Sequence, residues 1–436
     1  MTHDVARSKS NEPRFFFGGV ARYVMLIVGV CSFVTGCEGN QRPADVASGS
    51  VAQPSTSEES SLLSEEQVAS IREAVEQSGG ALQRDADGQP VAIDLAAGRG
   101  SADVTAFEAA LRCPTLRVFR ARAGQLAIED LAKIATLTSL EELMLEDAAL
   151  NDDVLGELAR NLRGLRRLTL RNAPHVTDHG IAELISLSEL THLTLIDLQV
   201  SGQALPTITE LPVLVSLDLR KSQNIRGDGL AALGDAPKLK EVKVGGLGID
   251  DAAMAIVANL PHLESLTIED ASITSEGIEA LRENRQTAKR IVALTFARCS
   301  ALDDDALPSL ASLPNLRRLS LRDVPVTGSF LPELPTLRKL ESLSLNETFL
   351  DDNAFNSIAA CRSLKRLELA QSFLTTEAME KISTLTSLEY LNLSNCGLNS
   401  AMLEPLAGLQ NLKTLIVDGN PDVSREAAAR LLPSNK

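Results

Sequence analysis

Histidines, cysteines and paired carboxylates build most active and metal sites, and this chain uses them sparingly: its 436 residues include five His and six Cys. His175 and His179 are spaced i, i+4, an interval that can present two metal ligands on one helix face. His175 falls in a turn ahead of Thr177, which suits a helix cap, so the pair reads as surface residues on different elements. His192 points outward from a strand with no cysteine, second histidine or fixed acid identifiable beside it. Asp85-Ala-Asp87-Gly88 has the beginning of a calcium loop, with Asp94 at the twelfth position. Gln83 carries no charge at position one, however, and the bidentate Glu is missing, so Asp87-Gly88 reads as a turn. No H-E-x-x-H, G-x-S-x-G, phosphate-loop or C-x-x-C spacing occurs. The expectation is a non-catalytic chain with no cofactor and no metal.

The remaining chemistry is that of recognition. Arg122, Glu146 and Arg171 recur at the repeat interval described below. On adjacent strands ~4.8 Å apart they can form a lateral charge ladder, either a self-neutralising surface or a docking site. Phe349 and Phe373 occupy equivalent positions of neighbouring units, where other units have Gln199, Gly248, Ser272 or Pro325. Near them the sequence places Arg366, Asn392 and Tyr390. Aromatics and arginine at a normally exposed edge have the composition of a binding hot spot. The alternative is that both phenylalanine rings fold back over the edge as packing.

These positions are set by a stencil, L-x-x-L-x-L, as in Leu140-x-x-Leu143-x-Leu145 and Leu388-x-x-Leu391-x-Leu393. Its first residue falls at Leu116, Leu140, Leu165, Leu190, Leu214, Leu239, Leu263, Ile291, Leu316, Leu340, Leu364, Leu388 and Leu412. A degenerate unit at Val91–Leu95 precedes these, giving about 14 repeats. Period-two alternation makes the stencil a short strand with one buried face. An Asp, Ser or Thr follows in most units (Asp152, Thr177, Asp250, Ser275, Asp303, Asp351, Thr375), suited to cap a helix such as that carrying Leu155, Leu158 and Leu162. Units this small cannot bury their own apolar face and must stack. Pro206, Pro212, Pro332 and Pro335 fall where other units place a helix, so extended or 3₁₀ segments are expected there. The longer unit from Leu263 to Ile291 is expected to extend its outer helix through Arg282–Arg290.

In this pattern the chain resembles the leucine-rich repeat family, in its helix-containing variety like ribonuclease inhibitor and its cysteine-containing relatives. The resemblance implies an α/β leucine-rich repeat solenoid, with a curved parallel β-sheet on the concave face and helices on the convex face. It departs from the family's frequent asparagine eight residues after the first leucine. Ala148, Ala173, Ser222, Cys299, Thr348, Ser372 and Cys396 stand there, with Asn420 only in the last unit. Cys113 and Cys361, like Cys299 and Cys396, fall at equivalent positions of distant repeats, too far apart to pair, and read as core thiols.

The N-terminal end has a different character. Arg7, Lys9, Arg14 and Arg22 precede a mostly apolar run from Tyr23 to Val34, closed by Val34-Thr35-Gly36-Cys37. That order reads as a secretory signal, and twelve helical residues reach only ~18 Å, too short to span a bilayer. The last four residues resemble the bacterial lipobox, which implies lipid attachment at Cys37. The expected organisation is a signal peptide over 1–36, a Ser/Pro-rich tether over 37–62, a capping helix and turn over 63–89, and repeats with a C-terminal cap over 90–436. Ser64-Glu-Glu-Gln67 has the form of a capping box. A net charge of −16 argues against nucleic acid. The reading that follows is a membrane-anchored bacterial envelope lipoprotein that faces away from the cytoplasm. It binds a protein through its concave face or C-terminal edge. A glycan ligand and a purely structural envelope role remain open alternatives.

Overall fold

The computed structural model of the chain describes residues 62–432 other than 99, 223, 307, 329 and 330. The expected signal peptide, Cys37 and the tether up to residue 61 lie outside the described residues.

Fifteen strands form a single sheet in strict sequence order. The first pair, Ala81–Arg84 with Pro90–Asp94, is antiparallel, and every later pair is parallel. Register follows the stencil: Leu143 pairs with Leu168, Leu168 with Leu193 and Leu193 with Leu217. The same alignment carries through Leu319, Leu343, Leu367, Leu391 and Leu415. The strand leucines point away from the open sheet face and meet helix residues such as Leu155, Leu158 and Ile181 in one apolar core running from Ile71 to Leu412. No unit has a core of its own, as stacking requires. This is a leucine-rich repeat solenoid of the α/β class.

From the repeat of Leu140 onward, strands leave the sheet by a sharp turn at the seventh residue after the first leucine. There Asp147, Asn172, Asp197, Lys221, Asp270, Arg298, Asp323, Glu347, Gln371 and Asn395 all take left-handed φ values of 49–61°. Short polar side chains tolerate that region, whereas Lys, Arg, Glu and Gln occupy it at a cost on the order of 1–2 kcal/mol. In the eighth column Ala148 and Ala173 offer no replacement for the asparagine bonds, but the Ser and Cys residues do. Ser222 Oγ donates to the Leu195 carbonyl at 3.3 Å, Ser372 Oγ to Leu345 at 3.1 Å, and Cys396 Sγ to Leu369 at 3.0 Å. Only Asn420 makes the fuller set, donating to the Leu393 and Val417 carbonyls and accepting from the Cys396 and Leu398 amides. Small size is what the buried column requires, since Ala148 and Ala173 fill it with no donor at all, and a donor where present satisfies a buried carbonyl.

On the helix side, two acids at a helix start divide their work. Asp250 caps its own helix, Asp251–Val257, by accepting from the Ala253 amide at 3.0 Å. Asp251 instead crosses to the next repeat, accepting from the Thr274 amide and hydroxyl and from the Gly277 amide. The same cross-link joins Asp152 to Thr177, Asp178 to Ser201, Asp304 to Thr327 and Asp352 to Thr375. The caps at two helices therefore fall one residue before the expected Asp152 and Ser275, at Asn151 and Thr274.

The capping box at Ser64 and Gln67 is formed, and it opens the helix Glu65–Gln77, which buries Val68, Ile71 and Val75. Asp87-Gly88 lies in a turn, now seen to join an antiparallel hairpin. Asp85 spends its carboxylate on the Asp87 and Gln89 amides. Two expectations for the outer segments need correction. Pro206 sits in the first turn of a short α-helix, Leu205–Thr209, where its missing N–H removes no helical bond. Arg282–Arg290 does not prolong one helix: Ser275–Glu283 ends, and Asn284 starts a second, Arg285–Arg290, by accepting from the Gln286 and Thr287 amides. Pro335 does lie in a 3₁₀ segment, Leu331–Thr336.

Candidate functional site

The sheet face is the extended surface that the fold leaves open. Of the expected ladder, the first rung forms: Arg122 Nη2 lies 3.4 Å from Glu146 Oε2, and its Nε lies 3.6 Å from Asp147. The ladder stops before Arg171. No carboxylate pairs with Arg171 among the described residues, and its Nε is covered without an acceptor. Glu146 is already engaged by Arg122, and Asp147 also accepts from Asn172.

A larger network that sequence reading missed lies further along. Arg220 is bound to Asp218 at 2.8 Å and reaches Glu269, two strands away, at 2.7 Å. It can do so because the intervening repeat has Gly245 at the equivalent position, leaving no side chain between them. Arg298 closes the chain on Glu269 at 3.0 Å and Asp270 at 2.6 Å. The Arg298 guanidinium beside Asp270 holds that carboxyl below its ordinary range. Bonds to Asp218 hold the Arg220 proton still more tightly than usual. Arg322 appears by following the Arg122 column past Glu269; Lys221, Asp270 and Arg298 lie on the left-handed column, where mixed residue types give no pattern.

These residues border an open basin of about 820 Å³ on the sheet face. Arg171, Arg220, Lys221, Arg298 and Arg322 line it together with Glu269, Asp270 and Glu368, and Thr295, Ser320, Ser344 and Asn346 add hydroxyl and amide groups. His192 lies on the same face outside the basin. Burial, reinforced by Arg167, pushes its pKa below the ordinary histidine value.

The C-terminal residues fall into two places. Phe349 and Phe373 are 82% and 80% exposed, so their rings stand in solvent rather than folding over the edge. They follow the left-handed residues Glu347 and Gln371, beyond the ends of their strands. Tyr390 and Arg366 stand at the other end, opening the paired strands Tyr390–Asn392 and Arg366–Glu368. The Arg366 guanidinium lies 3.5 Å over the Tyr390 ring and also pairs with Glu368. Asn392 accepts from the Ser394 amide and hydroxyl. The expected cluster is thus an aromatic pair at the turns and a separate cation–π pair on the sheet. Leu247, 78% exposed between Gly246 and Gly248, is a further apolar group that sequence reading did not single out.

The four described cysteines are free and buried. Burial pushes Cys113 up to about 12 and Cys361 and Cys396 up to about 11, and it raises Cys299 as well. Such thiols are protonated near neutrality and poor nucleophiles. His175 lies within the strand Arg167–Thr177 rather than in the expected turn, and His179 lies in the helix Asp178–Ala182, so the two stand on different elements. No group of three metal-ligating side chains occurs among the described residues.

No family model and no curated protein matches this chain. Among solved structures, it is similar to an internalin of Listeria monocytogenes at 23% identity, over 69% of this chain and 80% of that one, with a TM-score of 0.47. It is also similar to a leucine-rich repeat protein of Leptospira interrogans at 17% identity, over 77% of this chain and 91% of that one, with a TM-score of 0.39.

Proposed function

We propose that this chain is a non-catalytic protein-binding module, held at a bacterial membrane through a lipid on Cys37 and presenting its solenoid to a protein in the envelope. The observation that carries the binding role is the exposure of Phe349 and Phe373 on neighbouring repeats. Two large rings standing in water are an unusual feature for a chain with 3% aromatic residues and an otherwise well-sealed core. Each loses apolar hydration free energy when covered, and a partner is the natural cover. The open sheet face beside them offers fixed charges and hydroxyls for orientation. The basic, apolar and Gly-Cys order of residues 1–37 supports the tether.

The test is the double substitution Phe349→Ser with Phe373→Ser. Since both rings are exposed, the melting temperature should change little. Partner recovery after crosslinking in the native envelope should fall at least tenfold, because buried aromatic anchors often contribute ~2 kcal/mol or more each. Unchanged recovery, or a loss of stability by several kcal/mol as for a core aromatic, would count against the reading.

A further inference from the structure

The basin on the sheet face carries a charge pattern opposite to that of the chain as a whole. The protein has a net charge of −16, yet five basic and three acidic side chains line this basin. Arg220 and Arg298 are consumed by Asp218, Glu269 and Asp270. That network leaves Arg171, Lys221 and Arg322 without an ion pair among the described residues, disposed around a centre in which every guanidinium is already taken. Unpaired guanidinium groups are unusual in so acidic a protein, where carboxylates are plentiful. Here the fold has directed many of those carboxylates to the helix side, to cross-link repeats.

Resting on the protein-binding reading above, we infer that the basin receives an extended acidic segment of the partner protein, with Arg171, Lys221 and Arg322 pairing to Asp or Glu side chains. Spacing favours a linear ligand. Arg171 belongs to the strand Arg167–Thr177 and Arg322 to Arg318–Arg322, six strand steps away. At ~4.8 Å per step that is on the order of 25–30 Å, beyond the reach of one phosphate or carboxylate group. A peptide of about nine extended residues covers it at ~3.3 Å per residue. Guanidinium groups bind carboxylates in a bidentate fork, and the hydroxyls of Thr295 and Ser320, on the last two strands of that span, can bond the peptide backbone. Among the described residues no aromatic side chain lines the basin to stack against a sugar ring, which favours peptide over an acidic glycan.

The inference is tested with the full chain and a fluorescent decaglutamate peptide, using decaglutamine, polygalacturonate and inorganic phosphate as comparisons. Decaglutamate should bind and decaglutamine should not, and binding should weaken steeply with added salt. The double variant Arg171→Gln with Arg322→Gln should lose at least tenfold in affinity at an unchanged melting temperature. A control that removes two positive charges elsewhere, Arg117→Gln with Lys413→Gln, should bind within about twofold of the parent. An equal loss in the control would reduce the effect to overall charge and overturn the proposal. So would equal binding of decaglutamine, full competition by inorganic phosphate at matched ionic strength, or tighter binding of polygalacturonate through Arg171 and Arg322. If the double variant unfolds, charge reversal at the exposed Lys221 (Lys221→Glu) takes its place, and unchanged decaglutamate binding by that variant refutes the inference. Envelope crosslinking separates the two readings. Capture that needs Phe349 and Phe373 but is indifferent to Arg171 and Arg322 defeats this inference alone; absence of any capture defeats the binding role itself.

Discussion

At the scale of single residues, this solenoid is held by positions whose requirement is geometric rather than compositional. The eighth column needs a small buried residue: Ala148 and Ala173 fill it without a donor, while Ser, Thr, Cys and Asn there also satisfy a buried carbonyl. Cysteine therefore has a structural use here that involves no sulfur–sulfur bond. The expected outcome is redox indifference. Reductant should leave the melting temperature unchanged, and Cys113, Cys299, Cys361 and Cys396 should react with a thiol reagent only after unfolding, without prior reduction. A drop of several degrees on reduction would mean that the four thiols are not free in the working protein. The column of strand leucines and the eighth column were legible in the sequence because residue type repeats there. The left-handed column was not, since Asp, Asn, Lys, Arg, Glu and Gln share a conformation without sharing a chemistry. Lys221 and Arg298 were missed for that reason, whereas Arg220 and Arg322 share the column of Arg122 and Arg171 and were within reach of its periodicity.

At the scale of elements, strands and helices were readable from periodicity, while the ties between helices were not. Paired acids such as Asp250 and Asp251 look in sequence like a cap plus a solubilising charge. The structure gives the second acid of several units a partner 23 or 25 residues away. That distance is invisible to any local rule, although it lies within two residues of the repeat length and a search near that interval would have exposed it. Asp251→Ala should therefore destabilise more than Asp250→Ala. The first breaks charge-assisted bonds to the Thr274 amide and hydroxyl and to the Gly277 amide, worth about 1.5–3 kcal/mol. The second removes one cap, at about 1 kcal/mol. Denaturant unfolding of the two variants checks the order, and equal losses would show that the cross-repeat bond adds nothing beyond capping. The outer insert teaches a similar lesson: Asn284 splits what residue count suggested was one helix, because its side chain satisfies the amides of a new start.

At the scale of the whole molecule, the solenoid has two distinctive exposed features among the described residues, an aromatic pair and a basic basin, and we propose a lipid on Cys37 as its anchor. Cys37→Ala should release the protein from the membrane fraction or block its processing; a normally processed alanine variant retained in the membrane would remove the anchor from the account. Whether the aromatic pair meets a protein can be read by position-specific photocrosslinking. A photoreactive amino acid placed in turn at Phe349, at Phe373 and at the exposed helix-side residue Glu157 would be activated in intact cells. The account predicts one discrete protein adduct shared by positions 349 and 373 and absent at 157. No adduct at the aromatic positions, or the same adducts at all three, would contradict it.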